Sequence, residues 1–231
     1  MKDQYTGDVG DYGKYGLLRH LSENGIKVFV NWYLTEDDGS TDGKHITYLD
    51  QKKKFRKFDP ELFDRLEKLV RSGCRSIEAF EKEDCIKGAS YYHERLTPDT
   101  DRDRWHREAL LKAAGSGLSF LDPDNGLIGK KAPAKESVKH CLAGEAADYY
   151  SAGSDVVYYC QRDRSPKEIW NNKLMTMKKY LPDAKIMVLT CHRGTQRAYV
   201  FVLHKENAEQ YRALFDSFLL CWQGFFTADE L

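Results

Sequence analysis

A chain of 231 residues with 36 basic and 36 acidic side chains has no formal net charge. That balance excludes neither nucleic acid nor any other partner, because segregation of charge, not its sum, makes a binding face. Hydrophobic residues at 41% and aromatic residues at 13% provide for a core, and no run approaches the ~18 apolar residues of a membrane span. The length suits one α/β domain over residues 1–231 rather than two large domains. Met1-Lys2-Asp3-Gln4 lacks the apolar core of a signal peptide, and the six cysteines include no C-x-x-C pair. A cytoplasmic protein with reduced thiols is expected, with no metal site despite Cys191-His192.

In chain order, Gly7 to Gly13 is too glycine-rich to be helical throughout, and the first helix is expected from Asp11 to Glu23, closed by Asn24-Gly25. Residues 26–34 form a β-branched and aromatic strand that ends in a carboxylate-rich loop, 35–43. The basic stretch Lys52-Lys53-Lys54-Phe55-Arg56-Lys57 follows, and Asp59-Pro60 then opens a helix that buries Leu62, Phe63, Leu66, Leu69 and Val70. Residues 75–94 hold a short strand and a helix in an order the pattern leaves open. A helix over 100–114 is broken by Gly115-Ser116-Gly117, and the apolar run Leu118-Ser119-Phe120-Leu121 stops at Asp122. A helix over 144–152, a strand over 155–160 and a helix opened by Ser165 and Glu168 at capping-box spacing follow. Strands over 184–190 and 197–204 are close enough to form an antiparallel hairpin, and a helix from Asn207 closes the chain.

This alternation predicts a three-layer, mostly parallel, Rossmann-like sheet with a C-terminal antiparallel hairpin at or near its edge. Ligands of such sheets lie beyond the carboxyl ends of the strands. Three polar clusters fall there: Asn31-Trp32-Tyr33, Asp122-Pro123-Asp124-Asn125, and Gln161-Arg162-Asp163-Arg164. Pro123 stops its strand and Asn125-Gly126 favours a tight turn, so Asp122 and Asp124 project from a rigid platform able to accept protons or orient water. Asn31 is placed to read a base edge or hold a water, beside a ring that stacks on a planar ligand, although at least one of Trp32 and Tyr33 is expected in the core. Lys52 to Lys57, Lys130, Lys131, Lys135, Lys139, Arg162, Arg164, His192, Arg193 and Arg197 crowd the same side and suit a phosphate backbone.

Gly7-Asp8-Val9-Gly10-Asp11-Tyr12-Gly13-Lys14-Tyr15-Gly16-Leu17-Leu18-Arg19 and Phe120–Leu127 resemble a widespread set of bacterial proteins of unassigned function. The layout is also similar to Rossmann-like methyltransferases, including the family that methylates an rRNA adenine N6. There a helix carrying a Lys precedes the first strand and a D-P-P-Y motif follows a later one; Lys14 and Asp122-Pro123 are the matching positions. Two features depart from that pattern. Asp124-Asn125 replaces the aromatic end of the motif, and bulky, acidic residues 31–38 replace the glycine-rich turn that cradles S-adenosylmethionine. Uracil-DNA-glycosylase-like proteins, which place an Asp or Asn after a strand beside an aromatic, look similar at Asn31 with Trp32 or Tyr33, and at Asp122 with Pro123.

These resemblances and residues lead to an expected base-directed hydrolase of DNA or another nucleic acid, glycosylase-like and cofactor-free, in a setting such as phage defence. Asp122, Asp124 and Asn31 would be catalytic. Trp32, Tyr33, Asn125, Gln161, Arg162, Arg164, His192, Arg193 and Lys14 would bind substrate. An S-adenosylmethionine-dependent N-methyltransferase on the same residues, and a non-catalytic nucleic-acid-binding module, are the alternatives.

Overall fold

A computed structural model describes residues 1–40, 43–129 and 133–229. In chain order the elements are α1 (Val9–Glu23), β1 (Val28–Asn31), α2 (Lys52–Phe55), α3 (Pro60–Arg71), α4 (Ile77–Lys82), β2 (Ser90–Tyr92), α5 (Arg102–Lys112) and β3 (Leu118–Leu121). They continue with β4 (Leu127–Ile128), α6 (Ala134–Ser137), β5 (Cys141–Leu142), α7 (Ala143–Ser151), β6 (Asp155–Gln161), α8 (Lys167–Leu174), β7 (Lys185–Cys191), β8 (Arg197–Leu203), α9 (Ala208–Cys221) and β9 (Phe226–Asp229).

Helix α1 begins two residues before its expected start, because the Asp8 carboxylate accepts the Asp11 N–H at 2.8 Å and caps the first turn. Its glycines are there for close packing. A Cβ at Gly16 would lie 2.1 Å from the Trp222 ring, and one at Gly13 would lie 2.7 Å from Phe225. Each helical glycine costs roughly 1 kcal/mol relative to Ala, which the aromatic packing at these positions offsets. Helix α3 starts as its sequence dictates, with Asp59 accepting the Leu62 N–H at 2.9 Å and Pro60 in the first turn. The Ser165 capping box does not form. Pro166 is the N-cap residue of α8, and the Ser165 hydroxyl turns back to donate to Asp163.

The main sheet has seven strands in the order β2-β1-β3-β6-β8-β7-β9. Strands β2, β1, β3, β6 and β7 run one way and β8 and β9 run the other, so the sheet is mostly parallel. The hairpin of β7 and β8 forms as expected near one side of the sheet, with β8 inserted between β6 and β7 and the unforeseen β9 forming the edge. The interior position of β8 suits its composition, since Ala198 through Leu203 are all buried, as in strands covered on both faces. The ambiguous stretch resolves as α4 followed by β2, and β4 and β5 form a separate two-stranded parallel sheet.

Alternation along the strands divides the interior in two. Val28, Val30, Leu118 and Phe120 face a core shared with α1, α3, α4 and α9. Phe29, Leu121 and Val156 face a second core shared with α5, α7 and α8. The ladder ends of β1, β3 and β6 are level, with Asn31 opposite Leu121 and Leu121 opposite Tyr158. That common edge carries the candidate site. No helix among the described residues is long and apolar enough to cross a membrane.

Candidate functional site

One residue beyond β3, the Asp122 N–H still bonds to the Asn31 carbonyl at 3.0 Å, which fixes its side chain on the α1 face of the sheet. Pro123 follows, and the chain turns at Gly126 with φ of 88°. A Cβ at Gly126 would meet Cys160 Sγ at 3.0 Å and the Tyr159 carbonyl at 3.2 Å, so both backbone angle and the approach of β6 require glycine. The turn is therefore pinned from two sides.

Helix α1 presents Asp8, Asp11 and Lys14 at three-residue spacing on the same side. The Lys14 ammonium lies 2.8 Å from Asp11 Oδ1 and 2.7 Å from Asp122 Oδ2, with all three side chains about 5% exposed. Asp11 Oδ2 also accepts the Tyr15 hydroxyl at 2.8 Å. The Arg197 guanidinium lies 4.0 Å from Asp8 and occupies the space a Gly10 side chain would need. Asp124 sits 2.8 Å from the Met1 amino group and 3.5 Å from Lys2 Nζ. Met1 is itself held by the Tyr33 and Asp122 carbonyls, at 3.2 and 3.0 Å, so the N-terminal segment lies across the ends of β1 and β3.

Electrostatics separates the two turn carboxylates. Burial pushes the Asp122 carboxyl above its ordinary range, and Lys14 and the Met1 amino group only partly pull it back. Burial and the neighbouring Asp11 likewise raise Asp8 against the pull of Arg197. Burial would raise Asp124 too, but the Met1 amino group and Lys2 outweigh it and the carboxyl ends below its ordinary range. Burial disfavours the Lys14 ammonium, yet Asp11 and Asp122 outweigh that and hold it charged. Asp11 and Asp122 thus flank one firmly charged ammonium, and Asp8 and Asp122 each retain a proton more readily than an isolated carboxylate does.

These groups line a cleft of about 280 Å³ together with Asn125, Lys139, Gln161, Tyr159 and Tyr199. No group of three or more His, Cys, Asp or Glu side chains among the described residues is arranged to hold a metal ion.

Of the residues singled out in the sequence, Asp122, Asp124, Lys14, Asn125 and Gln161 line this one cleft. Asn31 is at the same end of the sheet, but on the other face. Its Oδ1 accepts the Tyr33 N–H at 3.1 Å and its Nδ2 donates to the Tyr149 hydroxyl at 3.1 Å, so the amide is spent on holding the strand end. This local bond accompanies the positive φ of Tyr33, 45°. Trp32 and Tyr33 are both fully buried core rings: the Trp32 indole donates to Glu81, and the Tyr33 hydroxyl donates to Glu145. The rings at the cleft are instead Tyr5, Tyr159 and Tyr199.

The basic face is also thinner than expected. Arg162 bonds the Asp163 and Ser165 carbonyls and stacks over Trp170, Arg193 bonds the Gly224 carbonyl, and His192 bonds Thr227. Lys52 and Arg56 pair with Glu67 and Asp64, and Arg164 and Lys135 are exposed away from the cleft lining. Lys130 and Lys131 lie outside the described residues. Asp8, Asp11, Tyr159 and Tyr199 were not foreseen. The regular spacing of Asp8, Asp11 and Lys14 was the legible signal, once Asp8 is read as a cap and the segment as helix.

Fold and site together define a mixed α/β protein with a cleft of ion-paired carboxylates at the carboxyl ends of its parallel strands. No family model and no curated protein matches the chain. Among solved structures the chain is similar to protein LPL1258 from Legionella pneumophila str. Philadelphia 1, of family-model DUF519, with a TM-score of 0.50 and 12% identity over 96% of each chain. At that identity the likeness concerns the fold.

Proposed function

We propose that the protein is a base-directed hydrolase that cleaves the bond between a nucleic-acid base and its sugar. The observation that supports this most is the pair Asp122 and Asp124: two carboxylates on one rigid turn, lining one cleft, with proton affinities shifted in opposite directions. Such divergence marks an acid and its ionised partner. In the proposed step Asp122, the carboxyl with the raised proton affinity, delivers a proton to the departing base as the base–sugar bond breaks. Ionised Asp124 takes a proton from the water whose oxygen bonds to the sugar carbon and steadies the positive charge that develops there. Lys14 keeps Asp122 in place, and the partly exposed Tyr159 offers a ring to the base. Asn31, Trp32 and Tyr33 have no part in this reading, because their polar groups are committed inside the protein.

A second reading, an S-adenosylmethionine-dependent N-methyltransferase of Rossmann-like, three-layer architecture, is favoured by two specific observations. The reversed β8 between β6 and β7 fits the closing order of that resemblance, and the Lys14–Asp122 ion pair joins its two matching positions. Against it stands the N-terminal segment, which fills the ends of β1 and β3 where a cofactor would be cradled.

One experiment separates the readings. The protein is incubated with modified and unmodified DNA and RNA, with and without S-adenosylmethionine, and the products are analysed by mass spectrometry. Free base released without S-adenosylmethionine is the expected result. A methylated product would instead establish the second reading, and binding without any product would leave a recognition module.

A further inference from the structure

A second cavity, of about 400 Å³, opens beside the first cleft, between the β6–α8 turn and residues of β7, β8 and β9. We propose that it binds the phosphate adjoining the nucleoside whose base and sugar enter the first cleft, so that the substrate is a phosphorylated nucleoside or a strand containing one. This rests on the base-directed reading above.

Charge is the first argument. Arg162, Lys167 and Arg197 line the cavity against one carboxylate, Asp229, which is already engaged by the Thr190 hydroxyl. In the first cleft the carboxylates Asp8, Asp11, Asp38, Asp122 and Asp124 are matched by Lys2, Lys14, Lys139, Arg197 and the Met1 amino group, so the surplus of positive charge is particular to this second cavity. The second argument is Arg197. It lines both cavities, its side chain is 11% exposed, and its Nε is buried with no hydrogen-bond partner among the described residues. Its nearest carboxylate, Asp8, is at 4.0 Å, beyond hydrogen-bond range. A buried guanidinium donor left unpaired is costly unless a ligand completes it, and a phosphate oxygen is the acceptor that geometry and charge favour.

The third argument is preorganisation. Arg162 lies over the Trp170 ring at 4.7 Å and is tied to the Asp163 and Ser165 carbonyls, so its position is fixed before any ligand arrives. Lys167 and Trp170 share one face of α8, and the Arg162 N–H bonds the Gln196 carbonyl at 3.0 Å, which joins this wall to the β7–β8 linker. Lys167 is exposed and forms no ion pair among the described residues. It supplies a mobile point charge beside two fixed guanidinium groups.

The test is calorimetric titration with inorganic phosphate, with the deoxynucleosides and their 5′-monophosphates, and with short single-stranded oligonucleotides lacking a terminal phosphate. Phosphate alone is expected to bind, and a monophosphate should bind at least about tenfold more tightly than its nucleoside. Lys167→Ala should remove most of that advantage and Lys167→Glu all of it, while circular dichroism stays unchanged for these exposed substitutions. Binding of the oligonucleotides that is sensitive to Lys167 would identify a bridging diester, and its absence a terminal monoester. Equal binding of nucleoside and monophosphate, failure of every phosphate-bearing probe, or indifference to Lys167→Glu would overturn the proposal. Base release with an unaltered KM in Lys167→Glu would remove the phosphate site and leave the hydrolase standing. Phosphate binding retained by Asp122→Asn, without base release by the wild-type protein on any substrate, would do the reverse.

Discussion

The two faces of the sheet at the shared ends of β1 and β3 carry similar chemistry and have different fates. On the α1 face, Asp122, Lys14, Asp11 and Tyr15 form a charged network that opens onto a cleft. On the α7 face, Asn31 bonds Tyr149, and Tyr33 bonds Glu145, which pairs with Arg102 at 2.6 Å. Every one of those donors and acceptors points at another part of the protein. The comparison teaches that a polar residue at a strand end is not by itself a ligand group. What matters is whether its neighbours use up its hydrogen-bonding capacity, as they do for Asn31, or leave charge and proton affinity displaced toward a cavity, as at Asp122 and Asp124.

The sharpest way to break the comparison is Asp122→Asn, which keeps shape and removes the proton-donating carboxyl. Product formation is expected to fall by about two to four orders of magnitude, with Lys14 still paired to Asp11 and the fold retained by circular dichroism. Unchanged turnover would reduce Asp122 to a turn residue and make the two faces equivalent.

Next in size is the sealed face. Tyr149→Phe leaves the buried Asn31 amide without its acceptor and should cost about 1–3 kcal/mol in chemical denaturation. Turnover by the folded fraction should not change; a loss of kcat would show that the α7 face takes part in the reaction.

The displaced proton affinities add a pH test. Asp8 and Asp122 have folded pKa values raised above the ordinary ~3.9. Between that value and their raised ones the folded state binds more protons than the unfolded, so their contribution to stability falls as pH rises through this window. Asp124 is shifted the other way, and its contribution is present above ~3.9 and lost as pH falls below it. Thermal melts across this range should show the decline above ~4 becoming shallower in Asp122→Asn. Parallel curves for wild type and variant would mean that Asp122 holds no displaced proton.

The smallest effect is expected on α2. Lys52→Ala removes an exposed pair with Glu67, worth at most about 1 kcal/mol. It should leave oligonucleotide affinity unchanged, because this basic run lies outside both cavities. A marked loss of affinity would extend the binding face well beyond the strand ends.

Local chemistry made much of this protein legible from its residues. The Asp59-Pro60 start of α3, the stop of β3 at Asp122-Pro123 and the strand character of residues 155–160 and 197–203 each depend on neighbours in sequence: a cap, a missing N–H, a run of β-branched and aromatic side chains. The acidic turn was legible for the same reason, whereas Lys14 was singled out only through the resemblance to methyltransferases. Only the tertiary structure decided which face each strand-end residue took. A shift of one residue reverses the side of the sheet, and the boundary of β1 fell at Asn31, sending Asn31 and Tyr33 into one core and Trp32 into the other. It also decided that the helix takes in Gly10 and that Gly10, Gly13 and Gly16 must lack side chains, because the groups that need their space, Arg197, Phe225 and Trp222, come from the far end of the chain. The interior place of β8 has the same origin: pairing partners distant in sequence are chosen by which surfaces can be covered together, and α9 and β9 complete that cover.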